Sequence, residues 1–377
     1  MENRPFVFGK AASGENFTDR EKEAIRLQSN FRNGVNTILI SPRRWGKTSL
    51  VKKVGKLVES DRLKVVYIDI FACRSEADFY KSFIEAVLKQ TSSKFDELLE
   101  DVKMFLSNIS PKFTIATDPM TDFSISLELK SKDRDIVEVL QLPENIARKK
   151  EIQIVVCIDE FQQIAEFSDS KVFQKQLRTV WQHQSSVSYC LFGSRKHLMN
   201  ELFEKRSLPL YKFGDVMILP KIPTSDWIEY IVQRFETTGK RISKELAEAI
   251  CNLVENHSSY VQQLSWLVWI QTDGEATEHD FQRACQDLID QNSLLFERQT
   301  ENLSSYQMNF LRALVDGFQS EFTTAEMLNR YQLGSSANVS IIKKALVKKD
   351  LIENENKMIT LVDPVMKVWL RQKFLKR

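Results

Sequence analysis

The residues most able to do chemistry fall in three short stretches. The run Ser41-Pro42-Arg43-Arg44-Trp45-Gly46-Lys47-Thr48-Ser49 lies between an apolar segment and an amphipathic one. A polyphosphate needs such a turn: backbone N–H groups and a helix N-terminus bind the anion, a Lys neutralises its outer oxygens, and a hydroxyl holds Mg2+. Gly46, Lys47 and Thr48 stand where G-x-x-x-x-G-K-[ST] requires them, with Ser41 in place of the leading Gly. The second stretch, Ile154-Val155-Val156-Cys157-Ile158-Asp159-Glu160, is an apolar strand ending in two acids. A buried parallel strand delivers its end to the sheet edge where the phosphate loop also lies. There Asp159 can enter a Mg2+ shell and Glu160 can polarise a water for attack on a γ-phosphate. A salt bridge or a helix cap is the plainer role for Glu160. In the third stretch, Val187–Phe192 leads into Gly193-Ser194-Arg195-Lys196. Ser194 could contact the γ-phosphate and Arg195 could offset its charge, or Ser194 could cap a helix and Arg195 and Lys196 be solvated. Arg43 and Arg44 could bind phosphate, lie against a lid or contact a neighbouring subunit.

The three stretches together predict an ATP site. Lys47, Glu160 and Arg195 are its catalytic candidates. Ser41 through Ser49, with Ser194, would hold the nucleotide, and Thr48 and Asp159 the Mg2+.

Positioning these residues requires a sheet. Apolar runs at Asn36–Ile40, Lys64–Phe71, Gln153–Ile158, Val187–Phe192 and Asp215–Leu219 alternate with helical spacing at Lys47–Ser60, Ala77–Thr91, Lys171–His183 and Lys196–Lys205. That alternation predicts a largely parallel sheet with helices on both faces. Residues 93–135 interrupt it with a charged helix, Phe95 to Leu106, and a hairpin of Lys112–Thr117 and Asp122–Leu129 about Asp118-Pro119. From Pro220 the strands cease, and helical segments open at Ser225, Ser243, Ser258 and Glu278. After Asn302 come a helix over Ser304–Phe318, a shorter one from Thr323, a turn at Leu333-Gly334-Ser335 and a third helix through Lys349. Two short strands, Leu351–Glu353 and Met358–Leu361, complete the order of a winged helix-turn-helix. The expected organisation is a P-loop ATPase domain over 1–220 with an insertion at 93–135, a helical lid over 221–301, and a winged helix over 302–377.

Composition narrows the class. The 377 residues carry 53 Lys+Arg against 51 Asp+Glu, which excludes a uniformly basic nucleic-acid coat or a polyacidic tail. Only 11 Gly and 9 Pro leave little room for long linkers. Five scattered cysteines, an odd number without a C-x-x-C pair, read as reduced thiols and not as a disulfide frame or zinc site. With no signal-like N-terminus and no apolar run long enough for a bilayer, the expectation is a cytoplasmic protein without membrane contact.

These residues resemble an archaeal-type ATPase of the STAND branch of AAA+-related P-loop NTPases. The likeness begins at Pro5-Phe6-Val7-Phe8-Gly9 with Phe17, Arg20 and Glu21, similar to the family's F-x-x-R-E lead-in beside the adenine. It continues through Pro42–Leu50, Tyr67-Ile68-Asp69, Ile158-Asp159-Glu160-Phe161-Gln162 and Gly193-Ser194-Arg195. Asn256-His257-Ser258-Ser259-Tyr260-Val261-Gln262 resembles the lid motif G-H-P-x-Y-x-Q, with Asn256 and Ser258 in place of its Gly and Pro. Asp363-Pro364 through Trp369-Leu370-Arg371 resembles the family's closing motif. The resemblance implies an ATP-driven switch in which the lid, through His257, closes on the nucleotide and changes how the chain meets its partners. Tyr260, Leu264, Leu267 and Trp269 would equally make a plain packing face.

Charge is unevenly divided. Residues 302–377 hold 12 basic and 7 acidic side chains, whereas residues 1–301 hold 41 and 44. Lys343, Lys344, Lys348 and Lys349 could meet DNA phosphates, and Ser335, Ser336 and Asn338 could face base edges or cap their helix. Winged helices also dock proteins. The leading reading is therefore a Mg-ATP-dependent, slowly hydrolysing switch acting on DNA or a protein partner. A DNA-binding regulator with a structural nucleotide site, and a scaffold that self-assembles on ATP, are the other two.

Overall fold

A computed structural model describes residues 5–9, 18–92, 104, 113–118, 121–127, 133–355 and 357–375, with backbone alone for 113–118, 121–127, 133–135, 196, 355 and 375. The helix expected over Phe95–Leu106 lies outside the described residues apart from Met104, as does Phe17. The chain divides into two compact units: Ala11–Pro220, and Lys221–Arg377 together with Met1–Lys10.

In the first unit the elements run α1 (Glu21–Arg32), β1 (Thr37–Ile40), α2 (Lys47–Val58), β2 (Leu63–Asp69), α3 (Glu76–Thr91), β3 (Phe113–Asp118), β4 (Thr121–Leu127), α4 (Asp133–Lys150), β5 (Gln153–Asp159), α5 (Ser170–Trp181), β6 (Val187–Gly193), α6 (Lys196–Glu204) and β7 (Asp215–Ile218). Five strands form one all-parallel sheet in the order β2-β5-β6-β1-β7. Successive strand residues point to opposite faces, and both faces are covered. Leu39, Val155, Cys157, Cys190 and Phe192 pack against Leu27 and Phe31 of α1 and Leu50, Val51 and Val54 of α2. Ile38, Ile40, Ile154, Val156, Tyr189 and Leu191 face Phe79 and Phe83 of α3, Leu140 of α4, Phe173 and Trp181 of α5 and Phe203 of α6. Such doubly covered strands read as unbroken apolar runs, which is why the sequence shows them. The inserted hairpin is present as β3 and β4, paired antiparallel with Ile115 opposite Ile125 and forming its own two-stranded sheet.

In the second unit, α7 (Thr224–Glu236), α8 (Lys244–Leu253), α9 (Ser258–Gln271) and α10 (Glu278–Glu301) are followed by α11 (Ser305–Val315), α12 (Ala325–Arg330), α13 (Ser336–Lys348), β8 (Ile352–Glu355), β9 (Met358–Leu361) and α14 (Pro364–Leu375). Ser243, Thr277, Ser304, Thr324 and Ser335 each cap the following helix by accepting from a backbone N–H. One continuous apolar core runs from Phe6 and Trp227 to Trp369 and Leu370, with the Phe296 and Trp369 rings 5.7 Å apart. The α11–α12–α13–β8–β9 order is that of a winged helix-turn-helix. Among the described residues no helix is long and apolar enough to cross a membrane.

Candidate functional site

The site is built where three strands of the first unit end side by side. Ile40 pairs with Gly193 across β1 and β6, and Ile158 with Leu191 across β5 and β6, so Ser41, Asp159 and Ser194 leave the sheet at one edge. Strand β6 stands between the phosphate-loop strand and the acidic strand. Ser194 therefore emerges between the other two groups.

The loop's strain falls on Arg44 and Gly46, with φ of +63° and +92°. Gly46 has open space around the position of a Cβ, so the glycine serves the left-handed backbone directly before α2. Ser41 has no positive φ and is fully buried, with its hydroxyl donating to the Pro42 carbonyl at 3.2 Å. That explains why a serine suffices at the loop's leading position. Arg43 and Arg44 are exposed, Trp45 is half-buried, and Ser49 is buried in the first turn of α2.

Lys47 is buried, and its Nζ donates to the carbonyls of Ser41 at 3.0 Å and Pro42 at 3.1 Å. Burial lowers its pKa to about 8, against the pull of the Glu160 and Asp159 carboxylates. Thr48 Oγ1 donates to Asp159 Oδ2 at 2.8 Å, and the other Asp159 oxygen accepts the Glu160 N–H at 2.8 Å. Burial nevertheless raises the Asp159 pKa, with the Thr48 and Glu160 hydrogen bonds opposing it. A desolvated carboxylate beside a hydroxyl is the hard-oxygen pair that suits Mg2+, which takes few protein ligands and keeps the rest of its shell for water and phosphate. Among the described residues no larger group of His, Cys, Asp and Glu could hold a metal.

Glu160 has a left-handed backbone, φ +54°, that turns the chain into a 3-10 turn over Phe161–Glu166. Its Oε2 accepts from Ser194 Oγ at 3.0 Å and from Gln162 Nε2. Arg43 Nε reaches the same Ser194 hydroxyl at 3.4 Å. The helix N-cap here is Arg195, without a side-chain cap bond, so Ser194 serves the acid in preference to the helix. Arg195 is engaged by Glu166, its Nη1 2.8 Å from the carboxylate. The structure thus gathers Ser41, Lys47, Thr48, Asp159, Glu160, Ser194 and Arg43, and it ties Arg195 to a neighbouring acid.

Two side chains beyond the predicted set belong to the site. Arg20, nearly fully buried ahead of α1, donates to the Trp45 carbonyl at 3.3 Å and so braces the phosphate loop, and burial lowers its pKa. Gln162 grips Glu160 from beneath. Both lie in stretches that resemble family motifs, but their contacts depend on left-handed turns at Arg20 and Glu160 that no spacing rule reveals.

In the second unit His257 is the N-cap of α9, with its ring centroid 4.8 Å from that of Tyr260. Asn256 takes the left-handed φ of +57° that a Gly would adopt freely, and Asn is among the residues best able to replace it there. Ser258 is the first helical residue, where proline is favoured but not required. Both departures from the lid motif are thereby accommodated. Tyr260 donates to Asp363 Oδ2 at 2.6 Å, while Asp363 Oδ1 caps α14 through the Val365 and Met366 N–H groups. Phe6 is buried in this unit's core, and the Val7 N–H donates to Gln262 Oε1 at 3.2 Å.

Residues 17–209 match a family model described as an ATPase domain predominantly from Archaea, and residues 294–372 match one described as a probable winged helix domain. No curated protein matches the chain. Among solved structures, a Walker-type ATPase of Pyrococcus abyssi is similar at 17% identity and a TM-score of 0.69, covering 97% of this chain and 99% of that one. The ORC2 protein of Aeropyrum pernix, in ADPNP–ADP complexes, is similar at 15% identity and a TM-score of 0.57, covering 99% and 98%. The ORC1 protein of Aeropyrum pernix, in complex with DNA, is similar at 12% identity and a TM-score of 0.51, covering 97% and 95%. At these identities the likeness is one of fold.

Proposed function

Because this chain belongs to the family of ATPase domains found predominantly in Archaea, we propose that it is a Mg-ATP-binding switch of the STAND branch that hydrolyses ATP slowly. Its nucleotide state would govern how the C-terminal unit meets DNA or a protein partner. The observation that carries this reading is the Thr48–Asp159 hydrogen bond of 2.8 Å, formed beside buried Lys47 and beside Glu160. In the proposed complex the loop from Ser41 to Ser49 and the α2 N-terminus bind the polyphosphate, and Lys47 neutralises its outer oxygens. Thr48 and Asp159 hold Mg2+, which would supply charge neutralisation. Glu160 accepts the proton of the attacking water while Ser194 holds its carboxylate, Arg43 meets the γ-phosphate, and His257 reports nucleotide to the helical unit. Slow turnover is supported by the engagement of Arg195 with Glu166, which must rearrange before that cation can reach the nucleotide.

The test separates binding from chemistry. Glu160→Gln should keep ATP affinity within about twofold while hydrolysis falls about a hundredfold or more. Unchanged hydrolysis in that variant would remove Glu160 from the mechanism. A wild-type turnover well above about 10 s−1 would contradict a slow switch.

One observation favours a protein partner over base reading by the winged helix. Ser335 caps α13, Asn338 Nδ2 donates to the Leu333 carbonyl, Lys343 lies 5.2 Å from the Phe322 ring centroid, and Lys349 donates to the Asn302 carbonyl. The exposed residues of α13 are Ser336 and Ala337 in its first turn, then Ser340, Ile341, Lys344 and Lys348, an apolar Ile341 edged with charge. All five cysteines are free, which supports a reducing, cytoplasmic setting. ATP-dependent self-assembly belongs to the same proposal, and light scattering with and without a non-hydrolysable analogue tests it.

A further inference from the structure

We propose that Gln162 is the positioning residue for the Glu160 carboxylate, and that residue 193 is glycine to make room for it. This rests on the reading of Glu160 as the base. The left-handed turn at Glu160 folds the chain back so that Gln162, only 4% exposed, sits beneath the acid and donates from Nε2 to Oε2. Ser194, itself approached by Arg43 of the loop, donates to that same oxygen at 3.0 Å. Among the described residues Glu160 Oε1 accepts no hydrogen bond, so the two donors fix one oxygen and present the other.

Two features argue that Gln162 serves more than packing. Its Oε1 is buried without a hydrogen-bond partner among the described residues, a costly placement that a Leu or Met would avoid. Gly193 ends an ordinary strand and has no positive φ, so its backbone does not call for glycine. A Cβ at 193, however, would fall on Gln162 Oε1 and come within 2.9 Å of Met199 Sδ. The glycine is explained by the space that the carboxamide occupies.

The experiment measures ATP hydrolysis by the full chain across pH, with ATP affinity measured in parallel. Gln162→Glu places a second carboxylate against the first, so the pair must share a proton. The acidic limb of the kcat profile should then move up by about one unit or more, and kcat at pH 7 should fall about tenfold, with KM within about twofold. Gly193→Ala keeps Gln162 but pushes it off the acid, and should lower kcat by a similar factor. Adding Gln162→Ala to Gly193→Ala should recover the thermal midpoint by restoring space, but not kcat. In a Glu160→Gln background, Gln162→Glu should cost nothing further. If Glu160→Gln is inactive while Gln162→Glu and Gly193→Ala keep the wild-type kcat and pH profile, the positioning role is wrong. If Glu160→Gln itself hydrolyses ATP normally, the base assignment falls, and this proposal with it.

Discussion

Lys47 carries the sharpest consequence at the scale of single residues. Buried against the loop carbonyls, its ammonium has a pKa near 8, well below the ordinary lysine value of 10.5. The native state therefore binds fewer protons than the unfolded chain between those two values. The burden of the buried charge is full below pH 8 and is relieved as pH rises toward 10.5. A polyphosphate would restore the charge. Nucleotide binding at pH 9 should thus take up close to one proton, and at pH 6.5 Lys47 should contribute none. Calorimetric titrations in two buffers of different ionisation enthalpy measure this, and equal enthalpies at pH 9 would contradict it. The meeting of Lys47, Thr48 and Asp159 at one sheet edge was legible because each stands at a fixed offset within its own motif. The contacts of Gln162, Arg20 and Glu166 were not, because they arise where a left-handed turn or a neighbouring strand redirects the chain.

Among the elements, α1 and α4 are the two helices of the sheet unit that periodicity did not announce. Pro143 stands inside α4 and argues locally against a helix, yet Glu144 beside it is buried and accepts the N–H groups of Ser185 and Ser186 ahead of β6. Helix α1 is pinned to β7 by Asp215, which accepts from Arg26 and from Asn30 at 2.8 Å. Partial burial pushes the Asp215 carboxyl up, but these partners outweigh it and hold its pKa below the usual value. Its stabilisation is present above the unfolded carboxyl pKa and is lost as pH falls through the depressed folded value. Asp215→Asn should therefore cost about 1 kcal/mol or less at pH 7, Arg26 being half exposed, and the difference should vanish in acid. Chemical denaturation at pH 7 and pH 2.5 measures it. The Tyr260–Asp363 bond joins α9 to the cap of α14, and Tyr260→Phe should cost about 1.5 kcal/mol, because its acceptor is charged and half-buried and Tyr260 itself is buried. A loss of a few tenths, read by the same method, would show that the bond is incidental. The strands themselves were legible to within a residue or two, since a doubly covered sheet writes itself as apolar runs.

For the whole molecule, the sequence shows the parts but not the order β2-β5-β6-β1-β7, because which strand stands between two others depends on crossovers that no local window contains. That order is what brings Ser194 between Lys47 and Glu160. The near-neutral charge of the chain likewise conceals a basic C-terminal region, in which Lys344, Lys348 and Lys349 are exposed and Lys343 is half-buried over the Phe322 ring. Any DNA affinity should therefore be sequence-independent and steeply salt-dependent, and Lys344→Ala should lower the salt slope by about one. Selective binding to one sequence in competition shifts would contradict this. Whether the loop from Ser41 to Ser49 with Asp159 is a working Mg-ATP site is decided by calorimetric titration of the intact chain with Mg-ATP. Binding should saturate at one nucleotide per chain, weaken sharply without Mg2+ and be lost in Lys47→Ala. Absence of binding to the folded wild-type chain, or equal binding by Lys47→Ala, would contradict it.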